Sequence, residues 1–106
     1  MGATHQWIPR MEKEAKKFFD SLSSESKQAV FNAVRPLVEA ENPLRCNGVC
    51  KVQNTHDVWR VHADTHNLRL RVFFKVVRGE LILNGFEYEG EVRILGIAKK
   101  TETTYK

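Results

Sequence analysis

From residue 58 to residue 77 the chain reads VWRVHADTHNLRLRVFFKVV, with apolar and polar positions alternating over 58–63 and 68–77 around the polar run 64–67. Strand side chains switch faces at every residue, so Leu68, Leu70, Val72, Phe74 and Val76 point one way and Arg69, Arg71 and Lys75 the other. Trp59 and Val61 against Arg60 and His62 give the first segment the same two-sided character. The pattern predicts an amphipathic hairpin with one face for a core and one cationic face. Most outer faces of this kind are simply solvated. Three cations with no interleaved carboxylate repel one another, however, and a polyanion is their natural partner.

Upstream the period changes. HQWIP at residues 5–9 suits a short edge strand, because proline is tolerated at a sheet edge. Over residues 10–22, Met11, Ala15, Phe18, Phe19 and Leu22 fall on one helical stripe. A run of serines ends it, and Ser23 or Ser24 can cap a second helix that buries Ala29, Val30, Ala33, Val34, Leu37 and Val38. Pro36 removes a hydrogen bond inside this helix and should kink or divide it, and Asn42-Pro43 should stop it. Downstream, strands are expected at 49–53, 58–63, 68–77, 80–86 and 92–98, with turns at Arg78-Gly79 and Glu89-Gly90. Helices first and strands after predict an α+β fold. The expected form is an N-terminal helical hairpin on one face of a twisted, mostly antiparallel sheet of four to five strands, in one domain spanning residues 1–106.

Charge sharpens this reading. Residues 1–44 hold six Lys/Arg and six Asp/Glu, whereas residues 45–106 hold eleven against seven, so the whole net charge of +4 lies in the half with the basic strands. That asymmetry points to nucleic acid. The chain has no run of about 18 apolar residues and no signal-peptide core near its start, so a cytoplasmic protein without a membrane partner is expected.

Other chemistry finds little support. Cys46, Cys50, His62 and His66 form C-x3-C-x11-H-x3-H, close to a zinc-finger spacing. A finger needs both histidines on a helix, and the alternating residues around His62 and His66 read as strand and turn, so no metal is expected. The two cysteines read as thiols of a reducing compartment with no obligatory disulfide. Glu87, Glu89 and Glu91 read as a solvated loop around a turn. No P-loop, dinucleotide fingerprint or nucleophile elbow occurs.

The succession FFDSL, VWRVHAD, LRLRVFFKVVRGELIL and ILGIAKKTETTYK, over roughly residues 10–106, resembles the RelE/ParE superfamily of bacterial toxins, in particular its HigB and phage-encoded branch. The resemblance implies a small twisted sheet packed against a helical hairpin. It also implies an mRNA endonuclease that enters the ribosomal A site without a metal or small-molecule cofactor, and a cognate antitoxin as partner. In such chemistry the RNA 2′-hydroxyl attacks the adjacent phosphate, basic groups stabilise the charge that develops, and a proton donor serves the leaving oxygen. By position, Arg60, His62, Arg71, Lys100 and Tyr105 take the catalytic places, with histidine at His62 where RelE itself usually has lysine. Arg69, Lys75, Lys99, Arg45 and Lys51 are the cations expected to position RNA. Two alternatives stay open: a ParE-like inhibitor of gyrase, and a basic RNA-binding module without catalysis.

Overall fold

The computed structural model describes residues 6–65 and 68–99. In chain order the elements are β1 (Trp7–Met11), α1 (Lys13–Asp20), α2 (Ser24–Glu39), a 3-10 turn (Pro43–Arg45), β2 (Cys50–Lys51), β3 (Trp59–Asp64), β4 (Arg69–Leu83) and β5 (Phe86–Lys99). The architecture is α+β, with the strands in one sheet ordered β1-β5-β4-β3-β2. β1 runs parallel to β5 and the other neighbours are antiparallel, so the sheet is mixed. The exception is physically simple. Most of the chain separates β1 from β5, so no tight turn forces them to run in opposite directions.

Local chemistry sets the helix boundaries. Ser21 donates its hydroxyl to the Phe18 carbonyl at 2.6 Å and helps close α1. Ser23 caps α2 by accepting the Ser26 N–H at 3.2 Å, and Glu25 lies in the first turn, where the helix dipole favours an anion. Pro36 neither ends nor divides α2, which runs through it to Glu39. Leu37 is fully buried beside it, so packing holds the helix together across the missing hydrogen bond.

α1 lies against β5, and α2 against β3 and β1. The core joins Ala15, Val30, Val34 and Leu37 of the helices to Val61, Ala63, Leu70, Val72, Phe74, Val92, Ile94 and Ile97 of the sheet. The alternation therefore places Leu70, Val72 and Phe74 inward as its period requires. Trp7 anchors the far corner, where it is buried and donates its indole N–H to the Ala40 carbonyl at 2.8 Å. No helix among the described residues is long and apolar enough to cross a membrane.

Two expected turns are not turns. Arg78-Gly79 and Glu89-Gly90 lie inside continuous strands and face each other across the ladder, where Arg78 pairs with Gly90 and the register shifts before Leu81. Gly79 and Gly90 have φ of 154° and 153°, so these glycines serve an irregularity in the ladder. At Gly90 a Cβ would collide with the Val77 carbonyl and press on the Trp7 ring. The chain reverses instead at Asn84 (φ 52°) and Gly85 (φ 84°), the two consecutive positive-φ residues that a tight hairpin loop demands. Strand β2 is also shorter than the expected 49–53, reduced to Cys50–Lys51.

β4 and β5, of 15 and 14 residues, are the longest strands of the sheet. The near half of their ribbon is flanked by β3, through Phe74, and by β1, back to Gly90. Glu89 still donates its N–H to the Gln6 carbonyl at 2.8 Å, and residues 79–88 continue beyond both neighbours as a two-stranded arm.

Candidate nucleic-acid interface

Residues directly opposite in neighbouring strands share a face, so the register alone builds the site. His62 faces Arg71, which faces Ala98. Arg60 faces Phe73, which faces Gly96. Lys75 faces Arg93, which in turn faces Arg10. All of these lie on the face opposite the buried Leu70, Val72 and Phe74, where no helix packs. Directly opposed side chains start about 5 Å apart and successive same-face positions about 7 Å apart. Arg60, His62 and Arg71 thus leave the sheet from neighbouring positions on one face, within reach of a single phosphodiester. Gly96 and Ala98 add almost no bulk beside Phe73 and Arg71, so β5 presents no long side chain at these two positions. That pair of small residues is a feature sequence reasoning missed; the alternation of β5 around them was its available signal.

Burial adds to the geometry. The Nε atoms of Arg60 and Arg71 are buried, so packing holds both stems. Arg60 Nε makes no hydrogen bond, and a buried donor in that condition is costly until an acceptor arrives. His62 also lines two clefts between β3 and α2. One, of about 580 Å³, includes Gln28, Asn32 and Asp64. The other, of about 420 Å³, includes Asn32, Cys46 and Asn47.

The face is not free of carboxylates. Asp64 stands opposite Arg69 in register, a cross-strand neighbour invisible to a reading confined to β4. No ion pair joins them. The β1 flank is more thoroughly neutralised. There Glu91 accepts from Arg10 at 3.1 Å and from Arg93 at 3.0 Å, and Arg93 reaches Glu12 at 3.7 Å. Burial acts to raise the Glu91 pKa, but the hydrogen bonds and charges of Arg93 and Arg10 outweigh it, and the carboxyl ends below its ordinary value. Glu91 is therefore no member of a solvated loop; with Glu87 and Glu89 it lies along β5 itself.

The remaining cations are dispersed. Lys51 faces Trp59 and Lys99 faces Leu70, which puts both on the helix side of the sheet. Arg45 lies in the 3-10 turn and shares a cavity with Arg78. Lys100 and Tyr105 lie outside the described residues, as does His66. Cys46 and Cys50 are free thiols, and burial pushes the Cys46 thiol up, away from the thiolate a metal would need. Cys50 faces Arg60, on the cationic face. Among the described residues no group of three or more His, Cys, Asp or Glu could hold a metal ion.

Compared with known protein families, with characterised proteins and with solved structures, the chain matches none.

Proposed function

We propose that the protein is a metal-independent endoribonuclease of the RelE/ParE kind, the toxin of a type II toxin–antitoxin pair that cuts messenger RNA in the ribosomal A site. The observation that carries this reading is the register that puts Arg71 beside His62, with Arg60 one step along, on the open face of the sheet. A RelE-like arrangement, a helical hairpin over the sheet, is supported by the joint burial of Ala15, Val30, Val34 and Leu37 with the inner faces of β3, β4 and β5.

In this reading the RNA backbone lies across β3 and β4. The 2′-hydroxyl attacks the adjacent phosphorus, negative charge grows on the non-bridging oxygens, and the bond to the 5′-oxygen breaks to leave a 2′,3′-cyclic phosphate and a 5′-hydroxyl. Arg71 meets that charge with two N–H groups in a fixed fork, and Arg60 offers its Nε and head from the neighbouring strand. His62 takes the proton released by the 2′-hydroxyl. Tyr105 and Lys100 are the family's further candidates for the leaving oxygen and the phosphate. Arg69 and Lys75 position RNA on either side.

The test is expression without a partner. Growth should arrest, and primer extension should show cuts confined to translated messages. Intact messages with arrested supercoiling would overturn the reading in favour of a gyrase inhibitor. A cognate antitoxin should cover the cationic face with an acidic segment, so its association should be fast and should weaken with salt. Affinity indifferent to ionic strength would place neutralisation elsewhere.

A further inference from the structure

Phe73 stands where the alternation of β4 calls for a polar residue. It lies on the outer face between Arg71 and Lys75, opposite Arg60 on β3 and Gly96 on β5. It is partly exposed and takes no part in the core that Leu70, Val72 and Phe74 build on the other face. A single apolar side chain on a surface is ordinary. The ordinary use of an aromatic ring opposite a strand glycine is to lie over the bare backbone and cover it. Phe73 does not do so. A Cβ added at Gly96 would meet no heavy atom within 4 Å among the described residues, so the ring leaves that space open.

An irregularity in β5 makes the space. Gly96 pairs with Phe73 and Ile94 with Phe74, so Leu95 is an extra residue without a partner on β4. A bulge of this kind re-aims the side chains around it, and such bulges gather beside functional sites. Here it brings a glycine opposite the ring. Strand side chains stand off the sheet, so Phe73 has Arg60 on its β3 side and a gap on its β5 side. Arg71 and Lys75 flank it about 7 Å away along β4. Across the ladder, Arg60 Nε is a buried donor that makes no hydrogen bond, and a phosphate or base oxygen would satisfy it.

We propose that Phe73 is a stacking platform for one base of a single-stranded RNA, the base entering over Gly96 and lying against the ring. The proposal rests on the RNA-binding part of the reading above and adds the group that holds the nucleotide. A base is flat, and it stacks on an aromatic ring whatever its identity. It also carries a phosphate on either side, and the ring has a cation at the next same-face position in both directions of β4. A duplex keeps its base faces inside its own stack, so the strand that uses this place is single. Arg71, beside His62, takes the scissile phosphate in that reading, so the stacked base belongs to a nucleotide next to the cut. Stacking then holds the adjoining sugar and phosphate against Arg71 and His62, which makes Phe73 a positioning residue.

The test is binding of a short 2′-O-methyl RNA, whose capped 2′-oxygen cannot attack, set against the same backbone carrying abasic sugars. The two strands differ in bases and not in charge. The wild-type chain, titrated to about 1 mM, should bind the base-bearing strand about 5- to 100-fold more tightly, the range set by one stacked base. The ratio should hold as salt rises, because stacking is not screened while phosphate contacts are. Phe73→Leu keeps an apolar side chain and should bring the ratio near one with an unchanged circular dichroism spectrum. Phe73→Trp should keep the ratio, and its added indole fluorescence should be quenched by the base-bearing strand alone. Equal binding of the two strands by the wild-type chain would overturn the proposal, as would binding of neither. A Phe73→Leu chain that loses stability and keeps the ratio would also overturn it, by reducing Phe73 to packing. The reaction fails separately. Base-dependent binding through Phe73 in a chain that leaves translated messages intact would keep this proposal and remove the nuclease. Messages cut equally by wild type and Phe73→Leu, with no base dependence in binding, would do the reverse.

Discussion

The two flanks of the outer sheet face use the same residue type for opposite ends. On the β1 flank, Arg10 and Arg93 are tied to Glu91, and Arg93 also to Glu12. On the β3 flank, Arg60, Arg69 and Lys75 make no ion pair among the described residues, although Asp64 stands opposite Arg69. Cations of the first kind fasten an edge strand whose ladder with β5 is only five residues long. Cations of the second kind cost the fold some mutual repulsion and return nothing to it. A cation that no carboxylate among the described residues holds stays available for the RNA contact proposed above. The difference teaches which arginines to assign to structure and which to function, and it can be broken by exchange of roles.

The largest effect is expected at Arg71. It lies mid-strand between β3 and β5, opposite His62 and Ala98, so its backbone is fixed from both sides. Losing a group that acts only on the transition state costs roughly 10²–10³ in rate. Arg71→Ala should therefore nearly abolish cleavage in a ribosome-dependent assay while co-sedimentation with ribosomes persists. Arg71→Lys should restore little, because a point charge cannot reproduce the fork. Wild-type cleavage by Arg71→Ala would remove the β3 flank from the chemistry.

A smaller effect, on stability alone, is expected at Glu91. Glu91→Gln leaves Arg10 and Arg93 without their charge partner and should cost about 1–3 kcal/mol, read as a lower denaturant midpoint. Because the folded carboxyl titrates below its ordinary value of 4.5, the stability it lends is complete above that pH and is lost as pH falls through the lower folded value. The acid limb of the wild-type stability profile should thus be steeper than that of Glu91→Gln. Lys75→Ala, on the same face but in no ion pair, should change stability by less than about 0.5 kcal/mol. Equal losses for Glu91→Gln and Lys75→Ala would erase the distinction between the flanks.

How much of this was legible depends on whether the cause lay along the chain or across it. The stripe through Ala15, a serine cap at Ser23 or Ser24 and the inward set Leu70, Val72 and Phe74 are periodic or local features, and the chain carries them openly. The ends of β4 and β5 escape the sequence pattern because glycine marks both turns and strand irregularities. Gly79 and Gly90 looked like turn residues beside Asn84-Gly85, which holds the stronger hairpin signal. The acid opposite Arg69 and the small residues Gly96 and Ala98 beside Phe73 and Arg71 depend on register, which no single strand encodes. The parallel pairing of β1 depends on contacts about eighty residues apart, such as Arg10 with Glu91.

The smallest expected effect concerns Arg69, and it separates positioning from chemistry on the β3 flank itself. Arg69 opens β4 and is exposed, whereas Arg71 is held deeper and its Nε is buried. An exposed arginine at a strand end contacts a phosphate as one member of a diffuse field, so its loss should weaken RNA binding a few-fold and reduce the salt dependence by roughly one phosphate contact. Asp64 opposes that field from directly across the ladder. Asp64→Asn should therefore strengthen binding slightly at low salt, and the gain should vanish at high salt as screening removes both terms. In the double variant Arg69→Ala with Asp64→Asn the two changes should largely cancel, while the cleavage rate of bound message stays within a few-fold of wild type throughout. Binding titrations at two ionic strengths, paired with single-turnover cleavage, measure each quantity separately. A rate loss at Arg69 as deep as that at Arg71 would show one continuous catalytic surface in place of a reacting pair flanked by positioning charge.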